Sequence, residues 1–132
     1  MQSNVKILLI EDDTDDIELL EEAFQDNNIR YEMDIVMEGD KVQLYMQTNE
    51  LPDVIVLDFN LPKVHGREVL QIIKANERFK NIPLIVLTTS AAREDIDFAY
   101  TMGAKQFLTK PTTLADFNST VNIIIQSSAT VA

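Results

Sequence analysis

The feature that most constrains this chain is its alternation of short, almost wholly apolar runs with longer amphipathic stretches. The runs are "VKILLI" (Val5–Ile10), "VIVL" (Val54–Leu57) and "LIVL" (residues 84–87). A strand can be apolar on both sides only if both faces of its sheet are covered. The segments between the runs have helical spacing. In "TDDIELLEEAFQDNN" (residues 14–28), Ile17, Leu20 and Phe24 recur every three or four positions, with acids between them. Thr14 is the expected N-cap. Asp15, Asp16 and Glu18 sit where the helix dipole favours negative charge.

The same reading continues along the chain. "YEMDIVM" (residues 31–37) alternates, as a more exposed strand should. Gly39 and Asp40 open a second helix through Val42, Leu44, Tyr45 and Met46. Gly66 opens a third, with an apolar stripe of Val69, Leu70, Ile72 and Ile73. A fourth spans residues 91–102, with Gly103 at its C-terminal cap. "KQFL" (residues 105–108) reads as a fifth strand. A last helix is expected over residues 113–126, although "VNIII" is β-branched and lowers helix propensity. The pattern is (βα)5. It predicts an α/β fold, a doubly wound five-stranded parallel sheet with helices on both faces. The length suits a single domain, 1–132, able to bury a core without disulfides, and the sequence has no cysteine. Residues 127–132, "SSATVA", are expected to form a loose tail.

The formal net charge is -11, which argues against a nucleic-acid partner, because a phosphate backbone requires basic patches. Residues 1–60 hold 3 basic and 16 acidic side chains, whereas the rest hold 8 and 6, so the first half could attract a cation or a basic partner. No apolar run is long enough to span a bilayer, and no apolar leader opens the chain. The expectation is a cytoplasmic protein without a membrane partner.

In a doubly wound sheet, ligands bind beyond the C-terminal ends of the strands. Here those ends carry Glu11, Asp12 and Asp13 after the first strand and Asp58 after the third. Thr88, Thr89 and Ser90 follow the fourth, and Lys110 lies just beyond the fifth. Each has an ordinary explanation taken alone. The acids could serve a helix N-terminus, the threonines could cap the fourth helix, and Lys110 could be a surface lysine. Taken together, converging acids repel one another and push their pKa values up. A divalent cation relieves that, and few hard oxygen ligands suit Mg2+. A carboxylate can act as a nucleophile and become an aspartyl phosphate. Asp58 can fill that role, with Glu11 and Asp12 for the metal and Lys110 and Thr88 for the phosphoryl oxygens. The residues point to Mg2+-dependent phosphoryl acceptance.

Four stretches, "ILLIEDD", "VIVLDFNLPKVHG", "PLIVLTTS" and "GAKQFLTKP", span essentially the whole chain. In that order, the set resembles a response-regulator receiver domain of the chemotaxis-regulator type, a flavodoxin-like fold. "LDFNLPKVHGREVL" and "IPLIVLTTS" are similar to the small stand-alone receivers that serve bacterial phytochromes and related hybrid kinases. The resemblance implies that Asp58 is the phosphorylated aspartate and shares the metal. It implies Asp12 as a direct metal ligand, Glu11 acting through water, and the Asn60 backbone carbonyl completing the set. Asp13 matches a variable position and is not counted as a ligand. Thr88 would be the switch hydroxyl and Phe107 the switch aromatic. Many relatives have Tyr at that place, so signalling here would rest on packing. Lys110 would hold the phosphoryl group, and the bond before Pro111 is often cis in the family. His65 replaces an Asp often found before that glycine. The site is complete without it, so it is expected on the surface.

The implied function is to accept a phosphoryl group from the phosphohistidine of a sensor histidine kinase, phytochrome-like or otherwise, or of a histidine phosphotransfer protein. That would bias a two-state equilibrium read by a partner, by a second copy through the fourth helix, fifth strand and fifth helix, or by a phosphorelay. Chemistry would be limited to self-catalysed phosphotransfer and autodephosphorylation, with Asn60 and Ser90 flanking the approach of water. Three other readings differ in class. A phosphohydrolase of the haloacid-dehalogenase kind needs a second Asp where Asn60 stands, and a nucleophile on the first strand. A pseudo-receiver that only binds partners fits poorly with a complete Asp58, Asp12, Thr88 and Lys110 set. A flavin site would need a hydroxyl- and glycine-rich loop where Glu11, Asp12 and Asp13 stand.

Overall fold

Strand register organises this molecule. In the computed structural model, which describes residues 4–89 and 91–128, β1 (Val5–Ile10) lies between β2 (Tyr31–Val36) and β3 (Val54–Leu57). Then come β4 (Leu84–Thr88) and β5 (Gln106–Thr109). All pairings are parallel, in the order β2-β1-β3-β4-β5. The helices are α1 (Thr14–Asp26), α2 (Val42–Thr48), α3 (Gly66–Ala75), α4 (Arg93–Thr101) and α5 (Leu114–Ser127). The expected doubly wound (βα)5 architecture is what forms.

Alternation along each strand divides the core into two layers. Leu8, Ile10, Ile55, Leu57, Leu84 and Val86 pack with Met46, Val69, Leu70 and Ile73 of α2 and α3. Ile7, Leu9, Val54, Val56, Ile85 and Leu87 pack with Leu20 and Phe24 of α1 and with Phe117, Val121 and Ile124 of α5. Every residue of β3 and β4 is buried, which is why those runs contain no polar position before their ends. β2 is an edge strand in which only Val36 is buried, in keeping with its more exposed, alternating sequence.

Several local details differ from the sequence reading. The N-cap of α1 is Asp13, not Thr14: Asp13 has extended backbone and its Oδ1 accepts the Asp15 and Asp16 N–H groups at 2.9 and 3.3 Å. Residues 39–41 form a 3-10 turn, so α2 proper begins at Val42. α4 starts at Arg93 behind Ala92, which makes no side-chain cap bond; Thr88, fully buried, instead ends β4. β5 runs one residue later than expected: Gln106–Thr109 pair with β4, and the Lys105 N–H bond to the Leu84 carbonyl leads into that ladder.

The β-branched stretch of α5 is helical, since burial of Val121 and Ile124 against α1 outweighs propensity. Ser127 and Ser128, expected to be loose, are buried at the end of α5, with Lys105 Nζ donating to the Ser127 carbonyl at 3.1 Å. Residues 129–132 lie outside the described part. Gly103 has φ +94° and ends α4 as expected, with Ala104 N–H bonded back to the Ala99 carbonyl. Among the described residues no helix is long and apolar enough to cross a membrane.

Candidate functional site

The register that builds the sheet also builds its rim. Ile10 pairs with Leu57, so Glu11 and Asp58 leave the sheet side by side, and Asp58 N–H donates to the Ile10 carbonyl at 3.0 Å. Thr88 pairs with Thr109, and Lys110 N–H donates to the Thr88 carbonyl at 2.8 Å. The ladder therefore continues one residue past the strands and fixes the backbone of Asp58 and Lys110. Glu11 and Asp58 are each only 3% exposed.

Lys110 is the centre of the cluster. Its Nζ lies 2.6 Å from Glu11 Oε1, 2.7 Å from Asp16 Oδ2 and 3.0 Å from Asp58 Oδ2. An ammonium has three N–H donors, and three carboxylate oxygens face them. The other Asp58 oxygen, Oδ1, accepts the Asn60 N–H at 3.0 Å, and the Thr88 hydroxyl also donates to this carboxylate. The Asn60 side-chain amide donates to Thr89 Oγ1 at 2.9 Å and to Thr88 Oγ1 at 3.3 Å. Glu11 Oε2 accepts the N–H groups of Asp12 and Asp13, at 3.1 and 3.2 Å.

These contacts divide the two buried acids. Burial pushes the Glu11 carboxyl up to about 7; Lys110 pulls the other way and the charge of Asp58 adds to the rise. Burial also raises Asp58, but the Asn60 N–H, Lys110 and the Thr88 hydroxyl outweigh it and hold Asp58 below the usual carboxylate value. Burial lowers Lys110, and bonds to Asp16, Glu11 and Asp58 more than reverse that, so its ammonium is held more strongly than in water. Asp58 is the acid built to stay ionised.

Oxygens of Glu11, Asp12 and Asp58 all lie within 4.8 Å of one another. The donor set is all carboxylate, carries more negative charge than Lys110 offsets, and includes the exposed Asp12 at its open side. That chemistry fits a hard divalent cation that keeps part of its water shell.

Of the residues expected at the site, Glu11, Asp12, Asp58, Thr88 and Lys110 meet there. Asn60 joins them through its N–H and its side chain. Phe107 does not touch the acids. It is half-buried, and its ring meets that of Phe59 edge-on, 5.9 Å between centroids. The Phe107 N–H donates to Tyr100 Oη at 3.1 Å. His65 is exposed and caps α3, its Nδ1 accepting the Arg67 N–H at 3.0 Å. The bond before Pro111 is trans, the lower-energy isomer, since no described peptide bond is cis. Ser90 lies outside the described residues. The sequence reading missed Asp16 as a lysine partner, and Phe59 and Tyr100 as the neighbours of Phe107. Asp16 lies in the first turn of α1, and no local feature of the sequence sets it apart from Asp15 beside it.

The family profile of the response regulator receiver domain matches residues 7–122. The response regulator Rcp1 of Synechocystis sp. is 38% identical over 116 residues, covering 83% of this chain and 79% of Rcp1. Among solved structures, the phosphorylated cyanobacterial phytochrome response regulator RcpA superposes with a TM-score of 0.86 at 35% identity, covering 94% of this chain and 93% of that one. The Mn2+-bound form of Rcp1 superposes with a TM-score of 0.83 at 36% identity, covering 92% of each chain. With its (βα)5 sheet, its rim of acids and this profile across most of its length, the chain belongs to the response regulator receiver domain family.

Proposed function

We propose that this protein accepts a phosphoryl group on Asp58 and so works as the receiver of a two-component signalling system. One observation carries the reading. Asp58 is buried yet held ionised by the Asn60 N–H, Lys110 and the Thr88 hydroxyl, beside the Glu11 and Asp12 carboxylates. A nucleophile needs its lone pair free of a proton, and this one is kept so. An Asp58 oxygen forms the O–P bond as the P–N bond to the donor's imidazole breaks. The bonding electrons leave on the imidazole nitrogen, and Asp58 becomes an acyl phosphate. Lys110 passes one N–H from Asp58 Oδ2 to a phosphoryl oxygen, and the Thr88 hydroxyl turns to another.

Asp12 and Asp58 would hold Mg2+ directly, Glu11 through water, and the Asn60 carbonyl would complete the set. When bound, the ion supplies positive charge against the carboxylates and the phosphoryl oxygens. Asn60, whose amide donates to Thr88 and Thr89, is too weak an acid and base for proton transfer, which counts against turnover of free phosphate esters.

The donor is the phosphohistidine of a cytoplasmic sensor kinase or of a histidine phosphotransfer protein. Likeness to RcpA, a phytochrome response regulator, supports a kinase of the phytochrome kind. The output lies on α4, β5 and α5, where Phe107 couples to Phe59 next to Asp58, and is read by a partner or a second copy. The test is intact mass after incubation with Mg2+ and acetyl phosphate. One added phosphoryl group is expected in the wild type and none in Asp58→Ala. No gain in the wild type, or an equal gain in Asp58→Ala, overturns the reading.

A further inference from the structure

Two sets of carboxylates overlap at the rim. The acid cluster is Glu11, Asp12 and Asp58. The lysine set is Glu11, Asp16 and Asp58. Glu11 and Asp58 belong to both, and Asp16 to the lysine set alone. The shared acids are also the ones whose state changes in phosphoryl acceptance. Asp58 gives up its carboxylate charge to the mixed-anhydride bond of an acyl phosphate, and Glu11 answers to both sets.

A lysine held only by Glu11 and Asp58 would lose its fixed points at the moment it is needed. Its long stem would then recover rotamer freedom that must be removed again before it can serve. Asp16 is placed to prevent this. It sits in the first turn of α1, and its own N–H is bonded to the Asp13 cap at 3.3 Å. α1 is in turn packed on α5, where Asn27 Nδ2 donates to Asn118 Oδ1 at 3.0 Å. The Asp16 oxygen is 2.7 Å from Lys110 Nζ, closer than the nearest Asp58 oxygen at 3.0 Å. The pair is not an ordinary surface ion pair, since the lysine side chain is only 8% exposed.

We propose that Asp16 is a positioning residue: it holds the Lys110 ammonium at the pocket while Glu11 and Asp58 change partners, and so sets how fast Asp58 takes a phosphoryl group. The proposal rests on Asp58 being the phosphoacceptor. The Asp16 carboxylate is not needed as a ligand or a nucleophile; it acts through Lys110.

The test compares Asp16→Ala, Asp16→Asn and Asp15→Asn. Asn keeps an oxygen acceptor without the charge, and Asp15→Asn removes an equal charge from an exposed position in the same turn. The first readout is the Lys110 ammonium 1H–15N signal in metal-free protein, expected in the wild type and in Asp15→Asn and lost to fast exchange in Asp16→Ala. The second is the rate of labelling by acetyl phosphate at saturating Mg2+. It is expected to fall about tenfold in Asp16→Ala, about threefold in Asp16→Asn and less than about twofold in Asp15→Asn, on the scale of one hydrogen bond to a charged group. Should Asp16→Ala not fold, Asp16→Asn against Asp15→Asn carries both readouts. Equal behaviour of the Asp16 and Asp15 variants, or a lost ammonium signal with an unchanged rate, overturns this proposal alone. A wild type that takes no phosphoryl group overturns the phosphoacceptor reading and this proposal with it.

Discussion

Gly66 rests directly on Phe59: its N–H donates to the Phe59 carbonyl at 2.9 Å, and a Cβ built on it would lie 2.2 Å from the Phe59 Cα. The same Cβ would lie 2.8 Å from the Asp58 carbonyl oxygen. The N-terminus of α3 is therefore pressed against the backbone that carries the candidate nucleophile, and the close contact is with main chain, which cannot step aside as a side-chain tip can.

Gly66→Ala is expected to destabilise the protein by about 1–3 kcal/mol, the usual cost of overpacking a filled interior. Because relief requires the Asp58 and Phe59 backbone to move, acetyl phosphate labelling should slow as well. Urea denaturation and a labelling time course measure the two effects. Unchanged labelling in a destabilised variant would mean that the shift is absorbed by α3 instead.

Lys110→Met leaves Glu11, Asp16 and Asp58 without their common cation. Breaking a buried pair costs about 3–5 kcal/mol when the remaining charge has no escape. Here part of the cost is avoidable, since the Asp16 side chain is 25% exposed and Glu11 can take up a proton. A loss of about 2 kcal/mol is expected in metal-free protein at pH 8, with a smaller loss at pH 5.5. Chemical denaturation in EDTA at both values checks it, and an equal loss at both would show that Glu11 does not adapt.

What could be foreseen from the sequence follows from where information is local. Asp58, Glu11 and Thr88 each stand immediately after an apolar run, Lys110 follows the short fifth strand, and the topology of a doubly wound sheet turns those one-dimensional positions into a shared rim. The role of Asp16 has no such local mark. It depends on the rotational phase of α1 against a residue 94 positions away. The sequence leaves the cap of α1 open by one residue because Asp13 and Thr14 are both good capping residues, and only the backbone angles choose between them. The one-residue offset of β5 has a related reason. The strand is half-buried along most of its length, so its register is weakly written in its pattern, unlike the fully buried β3 and β4. Tyr100 reads as an exposed helix residue, and nothing in its surroundings in sequence announces that its hydroxyl meets Phe107 N–H across the α4 to β5 connection.

Stability of the metal-free protein should decline as pH rises from about 5 to 8. The Glu11 carboxyl has its folded pKa raised to about 7 from 4.5, so between these values the folded state binds more proton than the unfolded chain. Stability then falls with pH, and the penalty is complete above the folded value. About 2 kcal/mol is expected across this window. Asp58 acts in the opposite sense and elsewhere. Its folded pKa lies below 3.8, so its contribution is present throughout this range and is lost only in stronger acid. Glu11→Gln should flatten the profile and be the more stable protein at pH 8. Urea midpoints in EDTA at several pH values measure this, and a wild-type profile parallel to that of Glu11→Gln would remove Glu11 as its source.

Phe107 is held in two ways that can be separated. Its ring packs on Phe59, and its N–H, on the outer side of edge strand β5, is covered by the Tyr100 hydroxyl. The hydroxyl bond is exposed, so water replaces it at little cost, and Tyr100→Phe should change stability by less than about 0.5 kcal/mol. It should nonetheless speed hydrogen exchange of the Phe107 amide, about tenfold, because the donor is no longer capped. Phe107→Ala instead removes a half-buried ring and an edge-to-face pair, and should cost about 1–2 kcal/mol. If Phe59 and Phe107 carry the signal from Asp58 to α4, phosphorylation should alter Phe107 amide exchange in the wild type. In Phe107→Ala it should leave the α4 amides unchanged. Exchange measured with and without acetyl phosphate decides this, and an α4 response that survives in Phe107→Ala would place the route elsewhere in the sheet.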